Sequence, residues 1–277
     1  MVRKIRISQI LLHIVILFLL FLTFFPIFEM LNKSFKTTIQ DIHNPWWISF
    51  PLNFENYKLA WSYVGPYIMN TVIIAGSISA GILIVASLAA YVFARFKFPG
   101  REFLFILILV LLMIPGILSL IPSFVLVRDL NLLDRRLGVI LPGIATGLPF
   151  AIFLLRTFFA GLPGELFEAG QIDGISPIQA FVNIALPLST PILSALLIMN
   201  ILNSWNEIIW ARIVLTSESM RTISVGLVPF TETYFAQTRS SGPALAGYVI
   251  SSLPLVIVFF FVSKQFIRGM TSGAFKM

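Results

Sequence analysis

Long stretches without a charged residue alternate with short polar stretches along this chain. Six long runs contain no Asp, Glu, Lys or Arg: 7–28, 59–94, 103–127, 137–155, 174–206 and 240–263. Each run can hold the roughly 20 apolar residues that cross a hydrocarbon core about 30 Å thick. The runs are too long and too uniformly apolar for alternating barrel strands, so they predict helices. We therefore expect an all-α polytopic membrane protein with six spans, at about 10–29, 70–94, 103–123, 137–156, 187–208 and 244–264.

The second run is longer than one span, and Gly65-Pro66 interrupts it. We expect the spanning helix to begin near Asn70, and Asn53 to cap a separate short helix leading towards it. The connections expected on the external side of the membrane are then about 30–69, 124–136 and 211–244. Neither a low-complexity linker nor an internal repeat is evident, so the chain 1–277 is expected to form a single domain.

Composition supports a membrane protein, since 58% of the residues are hydrophobic and only 11% are charged. Soluble proteins carry about 25% charged residues. The net charge of +7 is therefore attributed to orientation signals and anionic lipid rather than to a nucleic-acid partner. The first run is too long for a signal peptide and lacks a small-residue cleavage site, so we expect a retained helix.

Basic residues predict which side of the membrane each connection occupies. The clusters expected in the cytoplasm are Arg3, Lys4 and Arg6; Arg95, Lys97 and Arg101; and Lys264, Arg268 and Lys276. The positive-inside rule then places both termini in the cytoplasm. This topology places a loop with three arginines outside, against the rule: Arg128, Arg135 and Arg136. Asp129 and Asp134 partly offset the positive charge of that loop.

The segment 163–185, expected in the cytoplasm, is polar, acidic and interrupted. Pro163 should begin a helix that stops at Gly174, a suitable left-handed cap. Ser176 should then cap a second helix with Pro177 in its first position. The segment also carries many apolar side chains, at Leu166, Phe167, Ala169, Ile172, Ile175, Ile178 and Phe181. A partner's groove would cover them, while the alternative is a merely solvated connection.

The spacing Glu168-Ala169-Gly170, Gly174, Ile184 and Leu186-Pro187 resembles the EAA motif of ABC importer permeases. In that family the segment forms coupling helices that dock into a cleft of the ATP-hydrolysing subunit. The resemblance implies an ATPase-coupling role for Glu165, Glu168, Ala169, Gly170, Asp173, Gly174, Ile184 and Pro187. The family usually has alanine at position 170. Glycine costs a helix interior about 0.5–1 kcal/mol relative to alanine, so it is expected to loosen the first helix.

Further motifs are similar to the maltose-type, carbohydrate-uptake branch of these permeases. They are residues 54–57 (FENY), 203–207 (NSWNE), 222–227 (TISVGL) and 266–276 (FIRGMTSGAFK). The resemblance implies the type I ABC importer permease (MetI-like) fold in a bacterial inner membrane. It also implies a heterodimer with a second permease subunit, an ATP-binding subunit dimer that holds ATP and Mg, an extracytoplasmic solute-binding protein and a carbohydrate substrate. The tail around 273–276 is implied to reach the ATPase.

Polar residues in the fifth expected span suggest a second site. Asn200, Asn203, Ser204 and Glu207 share one face at helical spacing, and Trp205 could stack on a sugar ring. Polar residues in a span face a cavity or another helix. The sequence leaves open whether this face lines a sugar pathway or forms interhelical hydrogen bonds, and Trp205 is also suited to packing.

Other chemistries are disfavoured by what the sequence lacks. With two histidines and no cysteine, a metal site is not expected. A phosphate-binding glycine loop with its lysine is absent, so ATP must be bound by another chain. We find no set of acid, base and nucleophile for catalysis. An ion-coupled secondary transporter of a small polar solute is the alternative, disfavoured because the spans carry almost no ionisable groups and no inverted repeat.

Overall fold

The structure, a computed structural model, describes residues 7–238 and 240–274. Every regular element in these residues is a helix. The α-helices are α1 Ile7–Ser34, α2 Thr38–His43, α3 Glu55–Arg95, α4 Arg101–Met113, α5 Leu120–Asp129, α6 Leu137–Ala160, α7 Gly164–Ile172, α8 Pro177–Ala180, α9 Leu186–Leu188, α10 Thr190–Trp205, α11 Ile209–Val214, α12 Ile223–Thr238 and α13 Gly242–Ala274. Short 3-10 turns occupy Gly116–Ser119 and Glu218–Met220, and a π-helical turn occupies Phe181–Ala185. The predicted all-α class is confirmed.

Four of the helices are long and apolar enough to cross a membrane: Gln9–Ser34, Glu55–Arg95, Leu137–Ala160 and Gly242–Ser263. Two bent pairs are also sufficiently apolar when taken together. Residues 101–113 and 116–129 meet at 93°, and residues 177–188 and 190–205 meet at 75°. Counting each pair as one span gives six, the number that the charge-free runs predict. The third expected span is bent because Ile114, which precedes Pro115, adopts an extended conformation, as residues before proline do.

Helix α3 is a single helix of 41 residues that passes through Gly65 and Pro66. The expectation that it begins near Asn70 is wrong. Asn53 caps it, since its Oδ1 accepts the backbone N–H of Glu55 at 3.2 Å. Ala60 and Val64 are fully buried, so packing holds the first turns in place although proline removes one helical hydrogen bond.

The connection expected at 211–244 also contains regular structure. Helix α12 occupies Ile223–Thr238, within this expected connection, and contains Pro229. Ile223, Val225, Leu227 and Phe230 are buried along it. Burial of these side chains outweighs the weak local propensity.

The described residues group into two compact units, each built from separate parts of the chain. Unit one comprises the described residues up to Gly65 together with Leu227–Leu253. Unit two comprises Pro66–Gly226 and the described residues from Pro254 onwards. All three boundaries, at 65/66, 226/227 and 253/254, fall inside helices rather than in linkers. The expectation of one domain stays a prediction.

Unit one is organised around polar contacts just beyond α1. Asn56 donates through Nδ2 to the carbonyls of Ser34 and Lys36, at 2.8 Å each. The hydroxyls of Ser34 and Tyr57 lie 2.7 Å apart. These bonds hold the end of α1 against the start of α3.

Unit two has a core in which isoleucines of α3 meet glycines of α6. A Cβ atom at Gly143 would lie 2.6 Å from Cδ1 of Ile78, and one at Gly147 would lie 2.3 Å from Cδ1 of Ile82. The absent side chains therefore let the two helices approach closely.

A polar network in unit two includes Arg136, one of the three arginines that conflict with the positive-inside rule. Arg136 donates through Nη2 to Oδ1 of Asn70 at 2.8 Å, and Asn70 donates to the carbonyl of Ser219 at 2.8 Å. Nearby, hydrogen bonds from the hydroxyl and the backbone N–H of Ser217 lower the pKa of Asp134. Arg136 thus has a structural partner, Asn70 of α3.

Replacing Gly138 with alanine should destabilise the protein. A Cβ atom there would lie 2.4 Å from the backbone carbonyl oxygen of Leu132, and overpacking of this kind costs about 1–3 kcal/mol. Gly76→Ala is the matched control, since a Cβ atom there meets nothing within 4 Å and alanine favours a helix by about 0.5–1 kcal/mol. Thermal unfolding in detergent measures both variants. Equal midpoints would contradict the packing described for α6.

Candidate functional site

The segment 163–185, called the jointed segment below, has the helix–joint–helix form that its sequence predicts. Helix α7 ends at Ile172, and Gly174 has a φ of +76°. Ser176 then forms a capping box with Gln179, with Pro177 opening α8. The Oγ of Ser176 accepts the N–H of Gln179 at 3.3 Å, while Oε1 of Gln179 accepts the N–H of Ser176 at 2.7 Å. Local capping chemistry therefore fixes where the first arm (α7) ends and where the second arm (α8 and the π-helical turn after it) begins.

Tyr91, near the end of α3, contacts both arms of the jointed segment. Its ring centroid lies 6.4 Å from that of Phe167 in α7 and 5.1 Å from that of Phe181, which follows α8. Its hydroxyl donates to the carbonyl of Pro177 at 3.4 Å, and the side chain is buried. Tyr91 thus joins the two arms to the same turn of a candidate spanning helix.

Arg95, one turn further along α3, contacts the residues at the start of the jointed segment. Its Nη2 donates to the carbonyl of Leu162 at 2.8 Å. Its guanidinium carbon lies 3.9 Å from the centroid of the Phe167 ring, a cation–π geometry. The sequence does not single out Arg95 or Tyr91 for this role; the available signal is an Arg four residues after a Tyr at the end of α3.

The opposite side of the jointed segment exposes large apolar side chains. Ile172 is 87% exposed and Ile178 is 76% exposed. Leu166 and Val182 are also exposed. The three acidic residues, Glu165, Glu168 and Asp173, are exposed as well, and no ion pair joins them to the described residues. The segment therefore presents an apolar surface with carboxylates around it, which we call the docking face.

Gly170 has a packing reason that the sequence did not reveal. A Cβ atom there would lie 2.5 Å from Cδ1 of Ile175 and 3.3 Å from Cδ1 of Ile184. Because Gly170 has no side chain, Ile175 and Ile184 can pack against it on the inner side of the joint. Ala169 and Pro187, the remaining residues of the motif, are exposed.

The polar face expected in the fifth span is smaller than predicted. Helix α10 ends at Trp205, so Glu207 lies beyond it and does not extend the face of Asn200, Asn203 and Ser204. The expected placement of Glu207 on the polar face of α10 is therefore wrong. Its Oε1 instead accepts the N–H of Trp210, in the first turn of α11, at 2.9 Å. Trp205 is buried.

Within that face the three remaining residues differ in exposure. Asn203 is exposed and Ser204 is half-buried. The Nδ2 of Asn200 is buried and has no hydrogen-bond partner within the described residues. A buried amide without a partner is costly, which suits a position where a ligand or another chain completes the contact.

Replacing Gly174 with valine should strain the joint by about 1–2 kcal/mol, because β-branched residues resist a positive φ. The strain comes from the backbone alone, since a Cβ atom there meets nothing within 4 Å. Gly174→Asn is the matched control, because Asn tolerates this conformation. Limited proteolysis of residues 161–185 in detergent measures the joint, with faster cleavage expected for valine only. Identical cleavage of both variants would contradict the strain argument.

Comparisons with known proteins agree on one group. A family model described as binding-protein-dependent transport system inner membrane component matches residues 82–272. The chain is 35% identical over 265 residues to the arabinooligosaccharides transport system permease protein AraQ of Halalkalibacterium halodurans, covering 94% of this chain and 93% of that protein. It is 30% identical over 253 residues to the diacetylchitobiose uptake system permease protein NgcG of Streptomyces coelicolor, covering 91% of this chain and 83% of that protein.

A solved structure has a similar fold. It belongs to a bacterial ABC transporter involved in the import of the acidic polysaccharide alginate, with a TM-score of 0.80 over 95% of this chain and 98% of that chain. Sequence identity is 23%, so this likeness shows the fold alone.

Proposed function

The chain belongs to the binding-protein-dependent transport system inner membrane components, and we propose that it is the permease subunit of an ATP-driven importer of a sugar or oligosaccharide. Its resemblance to ABC importer permeases, indicated by the EAA-like spacing, is confirmed by this family match. Relatives named for the transport of arabinooligosaccharides and diacetylchitobiose support the substrate class.

One observation carries the proposed mechanism: the jointed segment exposes an apolar surface on one side and packs both arms against Tyr91 on the other. A surface of this kind suits a protein partner. We infer that an ATP-binding subunit dimer, which holds ATP and Mg, grips the docking face. Movement of that partner would then pass through Phe167 and Phe181 to α3.

Glu168 fits a docking contact because it is exposed and has no ion pair within the described residues. A basic or hydrogen-bonding group in the partner's cleft would complement it. The buried Gly170, with Ile175 and Ile184 packed against it, would keep the two arms at a fixed angle while the partner moves. The positive φ of Gly174 places the change of direction between them.

The remaining proposals concern assembly and placement. We infer a heterodimer with a second permease subunit and an extracytoplasmic solute-binding protein that delivers the carbohydrate. Both termini would lie in the cytoplasm of a bacterial cell whose inner membrane holds the complex. Asn200, Asn203 and Ser204 would line the pathway. Of the tail implied to reach the ATPase, residues 275–277 lie outside the described residues, as do Arg3, Lys4 and Arg6 of the first basic cluster.

Reconstitution in liposomes tests this function. The complete complex should import arabinooligosaccharides or diacetylchitobiose only when ATP and the solute-binding protein are both present. Ionophores that collapse proton and sodium gradients should leave uptake unchanged. Uptake that follows an ion gradient without ATP would instead support the secondary-transporter alternative.

A further inference from the structure

The stretch 37–54 in unit one, called the interfacial loop below, exposes most of its large apolar side chains, whereas most of its polar side chains are half-buried. Trp47 is 75% exposed and Phe50 is 78% exposed. Five more large apolar side chains are exposed in the same stretch: Ile39, Ile42, Trp46, Ile48 and Phe54. By contrast Lys36, immediately before it, is only 1% exposed. This arrangement is the reverse of what water favours.

Hydrogen bonds from the side chains of Lys36 and Asn44 hold the loop in one conformation. The ammonium of Lys36 donates to the carbonyls of Asn44 and Pro45, at 2.7 and 3.2 Å. The Oδ1 of Asn44 accepts the N–H of Trp47 at 3.3 Å, and its Nδ2 donates to Oγ of Ser49 at 3.2 Å. Side chains of the loop and of Lys36 therefore satisfy several of the loop's backbone groups, which a segment in contact with lipid requires.

The loop also folds back along α1. The ring of Trp46 stacks on Phe25 with centroids 6.2 Å apart, and Asn32 donates through Nδ2 to the carbonyl of Trp46 at 3.3 Å. Phe25 lies nine residues before Ser34, the end of α1, which corresponds to about 13 Å along a helix. Trp46 thus reaches back beside the apolar part of α1, where residues 9–28 are all exposed.

We propose that the interfacial loop is embedded in the lipid interface at the end of α1, with Trp47, Ile48 and Phe50 among the headgroups and upper acyl chains. Its exposed apolar surface is continuous with that of α1, a candidate membrane span. Residues 42–54 contain no Asp, Glu, Lys or Arg, so a charged protein surface would find no complement there. Indole rings favour this zone of the bilayer. The loop thereby fixes the depth of the first span independently of the docking face.

Spin labelling of the complete complex tests the proposal, and the chain is suited to it because it contains no cysteine. Nitroxides would be attached to Trp47→Cys and, separately, to Phe50→Cys in a complex otherwise free of cysteine. The complex would be placed in liposomes of phosphatidylethanolamine and phosphatidylglycerol. Each side chain is more than 70% exposed, so these substitutions remove little packing. Lys58→Cys is the matched control, since its side chain is 80% exposed and pairs with Glu55 at 3.8 Å.

The ratio of collisions with oxygen, which concentrates in lipid, to collisions with a water-soluble nickel chelate is the quantity measured. We expect this ratio to be severalfold higher at positions 47 and 50 than at position 58. A ratio at 47 and 50 equal to or below that of the control would place the loop in water and overturn the proposal. Exclusion of both reagents would place a protein partner there and would also overturn it. The measurement does not depend on uptake, so it succeeds or fails separately from the proposed function.

Discussion

Alanine in place of Tyr91 should abolish substrate uptake while leaving ATP hydrolysis by the complex. The variant removes the ring against which Phe167 and Phe181 pack, and the loss of a large buried aromatic side chain costs about 3–5 kcal/mol. The docking face lies on the other side of the segment, so the ATP-binding subunits should still bind. Their movement would no longer be transmitted to α3. The measurement is the number of sugar molecules imported per ATP hydrolysed in liposomes.

Tyr91→Phe is the matched control for this prediction. It keeps the ring and loses only the 3.4 Å hydrogen bond to the carbonyl of Pro177. A bond this long contributes little, so uptake per ATP should stay near that of the unchanged protein. Normal uptake in the alanine variant, at a normal membrane level of the complex, would show that Tyr91 does not transmit the movement. Equal damage in the two variants would show that the ring contacts are not the important ones.

Aspartate at both Ile172 and Ile178 should detach the ATP-binding subunits from an otherwise folded permease. Burying an isoleucine at an interface contributes about 1.5–3 kcal/mol, so the pair accounts for about 3–6 kcal/mol. This corresponds to at least a 100-fold loss of affinity. Since these side chains are 87% and 76% exposed in the isolated chain, its own thermal stability should not change. Co-purification through a tag on the permease measures the association.

The double variant Ile172→Val, Ile178→Val is the control for the docking face. It keeps the surface apolar, so association should weaken far less than with aspartate. Retention of the ATP-binding subunits by the aspartate variant would exclude these two side chains from the interface. A lowered unfolding temperature of the permease alone would assign them a structural role instead.

The jointed segment was predictable because its signals are local. Within four positions, Gly174 ends the first helix, Ser176 caps the second and Pro177 begins it. The structure contains each of these features. The contacts that hold the segment were not predictable, because Tyr91 and Pro177 are 86 positions apart in the chain. Such pairs arise from tertiary packing, and a single sequence does not record them.

Counting charge-free runs found the bilayer-length segments but misplaced several helix ends. A prediction from charge-free runs assumes that each helix ends where its span ends. In the structure, α3 begins at Glu55, well before the expected span, and α12 forms where a loop is expected. In both places buried apolar side chains stabilise helix outside the expected spans. The same assumption put Glu207 on the polar face of α10, although its carboxylate caps α11.

Site-specific crosslinking tests the central claim, that the jointed segment is gripped by an ATP-binding subunit. Because the chain has no cysteine, a thiol-linked benzophenone can be placed at Ile172→Cys, at Ile178→Cys and, as a control, at Lys58→Cys. Illumination of the assembled, transport-competent complex should join positions 172 and 178 to the ATP-binding subunit and leave position 58 unattached to it. A complex that transports normally yet gives no such product at either position would contradict the account.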